Sequence, residues 1–249
     1  MRFLIITAGF IILALSGLSE GAGKRISEIG NKHNFSYSNI SVNYRAIPAN
    51  DNLSYPQSSQ ICIFCHTPHR SSAEGPLWNR MATTKTFKHF SSSSLSIDDP
   101  ALRAASEYGQ PNGSSRLCLS CHDGVTALGA VFTTPFSMTP ENIHFIDVKG
   151  GRSGANVAIA YETFSSHHPV SFRYSNNVIN ILKTNFGKDY KPPSNPNVKL
   201  DRLERMQCTT CHDPHQDKSD VPSPTTPFWV TGTYQAVCDA CHIVSPGPW

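Results

Sequence analysis

Cys208-Thr209-Thr210-Cys211-His212-Asp213-Pro214-His215 is the stretch that decides how this chain is read. Its first five residues are one of four copies of C-x-x-C-H. The others are Cys62-Ile63-Phe64-Cys65-His66, Cys118-Leu119-Ser120-Cys121-His122 and Cys238-Asp239-Ala240-Cys241-His242, and together they use all eight cysteines. C-x-x-C-H is the attachment sequence of c-type haem. On one helical turn positions i, i+3 and i+4 share a face, so two thiols reach the porphyrin vinyl groups while the histidine reaches the iron. Four disulfides would leave the histidines unexplained. A zinc ribbon pairs its C-x-x-C units about 15–20 residues apart, whereas the intervals here are 52, 86 and 26 residues. A thioredoxin-like centre needs one C-x-x-C in a βαβ setting, not four. The expected cofactors are therefore four covalent haems c, with His66, His122, His212 and His242 as proximal iron ligands.

Composition agrees with a fold that packs around something other than itself. Only 39% of the 249 residues are hydrophobic and 16% charged, with 18 Pro and 16 Gly. So much turn chemistry argues against a helical bundle or a doubly wound α/β enzyme. The fold class expected is a multihaem cytochrome c, mostly coil with short helices around a stacked haem chain and little regular sheet. The formal charge of +3 is no nucleic-acid footprint, because eight haem propionates would offset it and no run of five or six like charges occurs.

The first residues read as an export signal. Arg2 is followed by an uncharged run from Phe3 to Leu18 and by small residues at Ser19, Gly21, Ala22 and Gly23. That run is short for a membrane span, which needs about 20 residues. Residues 1–23 are taken as the signal and 24–249 as one tetrahaem unit, exported to the cell surface or beyond, with the periplasm as the alternative. No later stretch is apolar enough to span a bilayer. The motif order, C-x-x-C-H-x-P-H then plain C-x-x-C-H, occurs twice, so the unit reads as two two-haem halves, 24–150 and 151–249. Regular structure is expected in short turns at each motif and in a capped helix from Ala101 to Tyr108 after Asp98-Asp99-Pro100. Lys191–Pro196 and Val221–Pro227 read as loops. Asn34, Asn39, Asn52 and Asn112 each open an Asn-x-Ser sequon.

Beyond the proximal four, seven histidines compete for the far sides of the irons: His33, His69, His89, His144, His167, His168 and His215. The surplus favours two histidines on every iron. Met81, Met138 and Met206 are expected to pack in the core instead. His69 and His215 are the first candidates, because Pro68 and Pro214 turn the chain out of the attachment helix. Each is then free to reach a haem other than its own. His167 and His168 point opposite ways in an extended segment, so at most one of them ligates a given iron.

The run Ile61–His69, then Pro76-Leu77-Trp78-Asn79, Leu117–Gly124, His168-Pro169-Val170 and Cys208–His215 resembles the outer-surface tetrahaem cytochromes of the OmcE type, which polymerise into extracellular nanowires. The likeness covers about His33 to His242. It implies His168 rather than His167 as ligand and gives His33-Asn34-Phe35-Ser36 a role. Relatives with His after Leu-Trp-Asn differ from this chain, which has Arg80. The distal set implied is His33, His69, His168 and His215, one per haem.

The expected function is electron transfer through four bis-histidine haems, in a homopolymer whose head-to-tail contacts donate His33 to a neighbouring subunit, with Cys238, Cys241 and His242 as the receiving haem. The low apolar content of residues 34–59 reads as an extended arm. Other redox proteins or extracellular acceptors are the remaining partners, with no nucleic acid. A monomeric periplasmic shuttle is the alternative. A multihaem reductase is a third reading, disfavoured because every motif ends in His and no iron is left open; no enzymatic activity is expected.

Overall fold

The computed structural model describes residues 24–36, 38–39, 46–48, 61–84, 86–87, 111–123, 131, 143–145, 168–187, 189–219 and 228–243. The helix expected at 101–108, the 221–227 loop, the signal segment, the join of the two halves, and His89, His167, Met138 and Asn52 lie outside them. Among the described residues one two-stranded antiparallel sheet pairs β1 (Ala46–Pro48) with β2 (Ile143–Phe145), Ile47 opposite His144. Four helices follow in chain order: α1 (Gly113–His122), α2 (Asn176–Phe186), α3 (Cys208–Cys211) and α4 (Tyr234–Cys238). A single 3₁₀ turn, Cys62–Phe64, carries the first motif.

Among the described helices α2 alone carries no cysteine, and its frame is local. The Ser175 hydroxyl accepts from the Val178 N–H, and Gly187 ends the helix at φ 60°, a left-handed position that glycine adopts without strain. Val178, Ile179 and Leu182 form its buried stripe and pack with Phe172, Tyr174, Val198, Met206, Val230, Val237, Ala240 and Cys241. This is the largest apolar cluster described, and it holds the third and fourth motifs. The first and second motifs rest on much smaller clusters, Phe35 with Phe64 and Phe87 with Leu119. Met206 belongs to the core as expected, but Met81 is 58% exposed. It follows the buried Asn79-Arg80 pair, where the chain turns outward.

Polar side chains do much of the packing. Gln207 ties the starts of α1 and α3 together: its Oε1 accepts from the Ser115 hydroxyl at 2.6 Å, and its Nε2 donates to Asn112 Oδ1 at 2.8 Å and to Asp201 Oδ2 at 3.0 Å. The Ser115 hydroxyl in turn accepts from the Cys208 N–H at 3.0 Å. Gly113 is required here, since it sits at φ 52° and a Cβ would lie 2.7 Å from Gln207 Nε2. The second and third motifs are thereby locked side by side.

Of the stretch expected as an extended arm, residues 34–36 and 38–39 fold inward together with 31–33, while 37, 40–45 and 49–59 lie outside the described residues. Asn31, Asn34, Phe35, Ser36 and Asn39 are all buried. Asn39 Oδ1 accepts from the Gly30 N–H at 2.6 Å, and its Nδ2 donates to the carbonyls of Asn31 at 2.9 Å and Asn34 at 2.8 Å. Side-chain amides here replace apolar periodicity by bonding directly to turns of backbone, which is why composition misreads the segment. Asn34 and Asn39 are used this way, so neither sequon presents an accessible amide. Residues 24–26 then pair with the second half, Ile26 N–H to the His215 carbonyl at 2.7 Å and Asp217 N–H to the Lys24 carbonyl at 3.1 Å. The two halves interlock as one packed unit.

Asn39→Ala strands two buried carbonyls and one N–H together. We expect it to destabilise the folded protein by about 3 kcal/mol, read as a lower denaturant midpoint with an unchanged slope.

Candidate metal centres

Each C-x-x-C-H motif folds into a single turn. The N–H of His66, His212 and His242 donates to the carbonyl of Cys62, Cys208 and Cys238 at 2.7, 3.0 and 3.0 Å, and His122 ends α1. Cysteine and histidine of one motif therefore stand on one face. All eight cysteines are free thiols. Burial pushes Cys65 and Cys211 up to about 12 and Cys241 up to about 11, so these sulfurs keep their protons. Among the described residues, which include every cysteine, no three of His, Cys, Asp or Glu converge on one metal position.

The proximal histidines share a second device. His66, His212 and His242 each pair in antiparallel fashion with an aromatic residue: Trp78, Trp229 and Tyr190. The bonds are the same in all three. Asn79, Val230 and Lys191 donate to the carbonyls of Cys65, Cys211 and Cys241 at 2.9, 3.0 and 2.9 Å. Thr67, Asp213 and Ile243 donate to those of Leu77, Phe228 and Asp189 at 2.8, 2.8 and 3.2 Å. The ring centres lie 5.5, 4.7 and 5.0 Å apart. Leu77 and Phe228, preceding the two tryptophans, both adopt positive φ, 60° and 70°. The sequence carries this repeat as Pro76-Leu77-Trp78 and Pro227-Phe228-Trp229, a signal that the cysteine spacing alone did not bring out.

Three distal candidates meet three proximal histidines. His33 faces His122 with ring centres 6.0 Å apart, His215 faces His66 at 6.2 Å, and His168 faces His242 at 6.2 Å. Two imidazoles on opposite sides of one iron, with bonds of about 2.0 Å and ring centres about 1.1 Å further out, stand about 6.2 Å apart. The three pairs match that separation. Their ring planes differ: 19° apart for His66 and His215, 59° for His33 and His122, 84° for His168 and His242.

The electrostatics suit neutral ligands. His33 lies buried on the Phe228 ring, with centres 4.3 Å apart. Burial, then the neighbouring His122, lowers its pKa to about 4. His66 and His242 are lowered by burial and next by His215 and His168, and His168 by burial. His33 Nδ1 lies 3.0 Å from the Pro214 carbonyl and His168 Nδ1 2.9 Å from that of Pro169. A carbonyl only accepts, so each Nδ1 carries the proton and each Nε2 keeps its lone pair for a metal.

Within this chain the His33 ring lies beside those of Phe35, His122 and Phe228, not beside that of His242. It is built into its own chain against the second motif, because the Asn31–Asn39 turns fold it inward and Pro214 holds its ring. His69 is exposed, and among the described residues its ring meets no other histidine. The His212 ring stacks on Trp229, and it has a further interaction beyond these contacts. His144 lies in β2, paired with Ile47.

The motifs also adjoin one another in chain order. Cys65 and Cys121 pack against the same Phe35–Phe64 cluster. The Cys118 thiol donates to Cys208, which raises Cys118 and lowers Cys208 to about 7. Cys211 packs on the cluster that contains Cys241. The residues fit haem on further grounds: the Trp78 indole N–H is buried with no acceptor, an orphaned donor that a large acceptor-bearing group alongside His66 would satisfy. No helix among the described residues is long and apolar enough to cross a membrane. No protein-family model matches the chain, and no curated protein matches it.

Proposed function

We propose that the protein carries electrons through four covalently attached haems, each iron held between two histidines. The observation that carries this reading is the set of three His–His pairs at 6.0–6.2 Å, every one joining a C-x-x-C-H histidine to a histidine outside the motifs. When bound, haem supplies a one-electron Fe(III)/Fe(II) couple. The chain's part is to close both faces of each iron, to exclude substrates from it, and to set the four groups in a row through the Cys65–Cys121, Cys118–Cys208 and Cys211–Cys241 neighbourhoods. Closed irons in a row conduct; they do not activate oxygen, nitrite or sulfite.

Denaturing mass spectrometry of the exported protein should show four haem masses on the processed chain. Carbon monoxide should leave the spectrum of the reduced protein nearly unchanged. The ring-plane angles add a further expectation. In the ferric protein, electron paramagnetic resonance should show both a rhombic low-spin signal, from the near-parallel His66–His215 pair, and a highly anisotropic one, from the near-perpendicular His168–His242 pair. Free thiols, bound zinc or a full equivalent of tight CO binding would overturn the reading.

The resemblance to OmcE-type cytochromes supports assembly into an extracellular filament. With His33 engaged in its own chain, we assign the outward ligand to His69, which is exposed on the same C-x-x-C-H-x-P-H frame that lets His215 reach a different haem. The inward His33 also favours a second reading, a self-contained shuttle. His69→Ala separates them: loss of filaments in electron micrographs supports the wire, whereas wild-type particles that are monomeric throughout support the shuttle.

A further inference from the structure

Arg80 has the largest side chain among the described residues that are less than 2% exposed, and it carries a charge. A buried guanidinium is costly unless its surroundings use it, and it cannot shed its proton to escape. Its position is defined by both first-half motifs. Asn79, one residue before it, donates from its backbone to the Cys65 carbonyl at 2.9 Å and from its side chain to the Ile63 carbonyl at 2.6 Å. Arg80 Nε donates to the Ser120 carbonyl at 3.3 Å, one residue before Cys121. The Asn79-Arg80 pair thus clasps the first attachment turn with one residue and the second with the next.

We propose that Arg80 is a fixed buried cation that raises the reduction potentials of the two irons served by His66 and His122. This rests on the four-haem reading. Each iron passes from Fe(III) to Fe(II) by accepting one electron, which lowers the charge of that centre by one. A cation held in a low-dielectric site disfavours the more positive oxidised state and so favours reduction. The anion nearest in kind is Asp123, fully buried two residues past Cys121.

The test is a spectroelectrochemical titration of the intact four-haem protein, with dithionite as reductant. Arg80→Gln should weaken electron uptake about tenfold at two of the four haems, which for one electron is a fall of about 59 mV, while Arg80→Lys stays near wild type. Asp123→Asn should move the His122 haem the opposite way. Four haems with unmoved midpoints in Arg80→Gln, or equal falls in Gln and Lys variants, would show that the charge does not act on the irons. Unmoved midpoints in Asp123→Asn would do the same. A wild-type protein without four covalent haems would instead remove the reading beneath the proposal.

Discussion

His33→Ala converts one closed iron in four into an open one. Reduced wild-type protein in its assembled form is expected to take up essentially no carbon monoxide; at any protein concentration the variant is expected to bind one equivalent per chain more than wild type, with one additional high-spin haem. Because His33 faces His122 within its own chain, at 6.0 Å between ring centres, the vacancy should appear in dilute monomer and be independent of protein concentration. A linking ligand would behave differently, opening an iron in the wild type too whenever subunits separate. The variant also loses the stack on Phe228 and the bond to the Pro214 carbonyl, so a stability loss of about 2–4 kcal/mol accompanies the spectral change. Four attached haems, all low-spin and silent to CO in the variant, would show that His33 is no ligand.

Attachment of haem is expected to decide whether the chain folds at all. The first-half motifs rest on two small apolar clusters, and ordering each residue's backbone costs about 1–2 kcal/mol. On the four-haem reading, the broad porphyrin faces would add the apolar burial that offsets this cost. Chain produced without haem, or with all eight cysteines replaced by alanine, should therefore lose near-ultraviolet circular dichroism and cooperative unfolding, at least over the first half. The α2 cluster, which is the largest, is where residual structure should persist. A haem-free chain with a sharp two-state transition and native-like aromatic signals would contradict this.

The histidine pairs show how far sequence reading goes. His168 was preferred over its neighbour through the resemblance, and the structure sets it opposite His242. His215 was expected to reach a haem other than its own, and it stacks near His66. The place of His33 beside His122 is not legible locally, because an Asn- and Ser-rich segment reads as solvated chain when its amides are in fact consumed by neighbouring backbone. The aromatic partners of the proximal histidines were legible as Pro-Leu-Trp and Pro-Phe-Trp, but their meaning depends on a pairing of strands that no local spacing announces. The burial of Arg80 between two C-x-x-C-H turns is visible only in the structure.

By itself the sequence determined the four C-x-x-C-H units, each confined to a single helical turn, where covalent geometry and i, i+3, i+4 spacing leave little freedom. Tertiary structure decided which distal histidine meets which proximal one. That choice is made by contacts across the whole chain, such as His33 to Pro214 over 181 positions, by the Gln207 network that sets the second motif beside the third, and by the folding of residues 24–39 onto the opposite half. Local residues specify that a metal ligand is present; the packing of distant segments specifies the metal centre it completes.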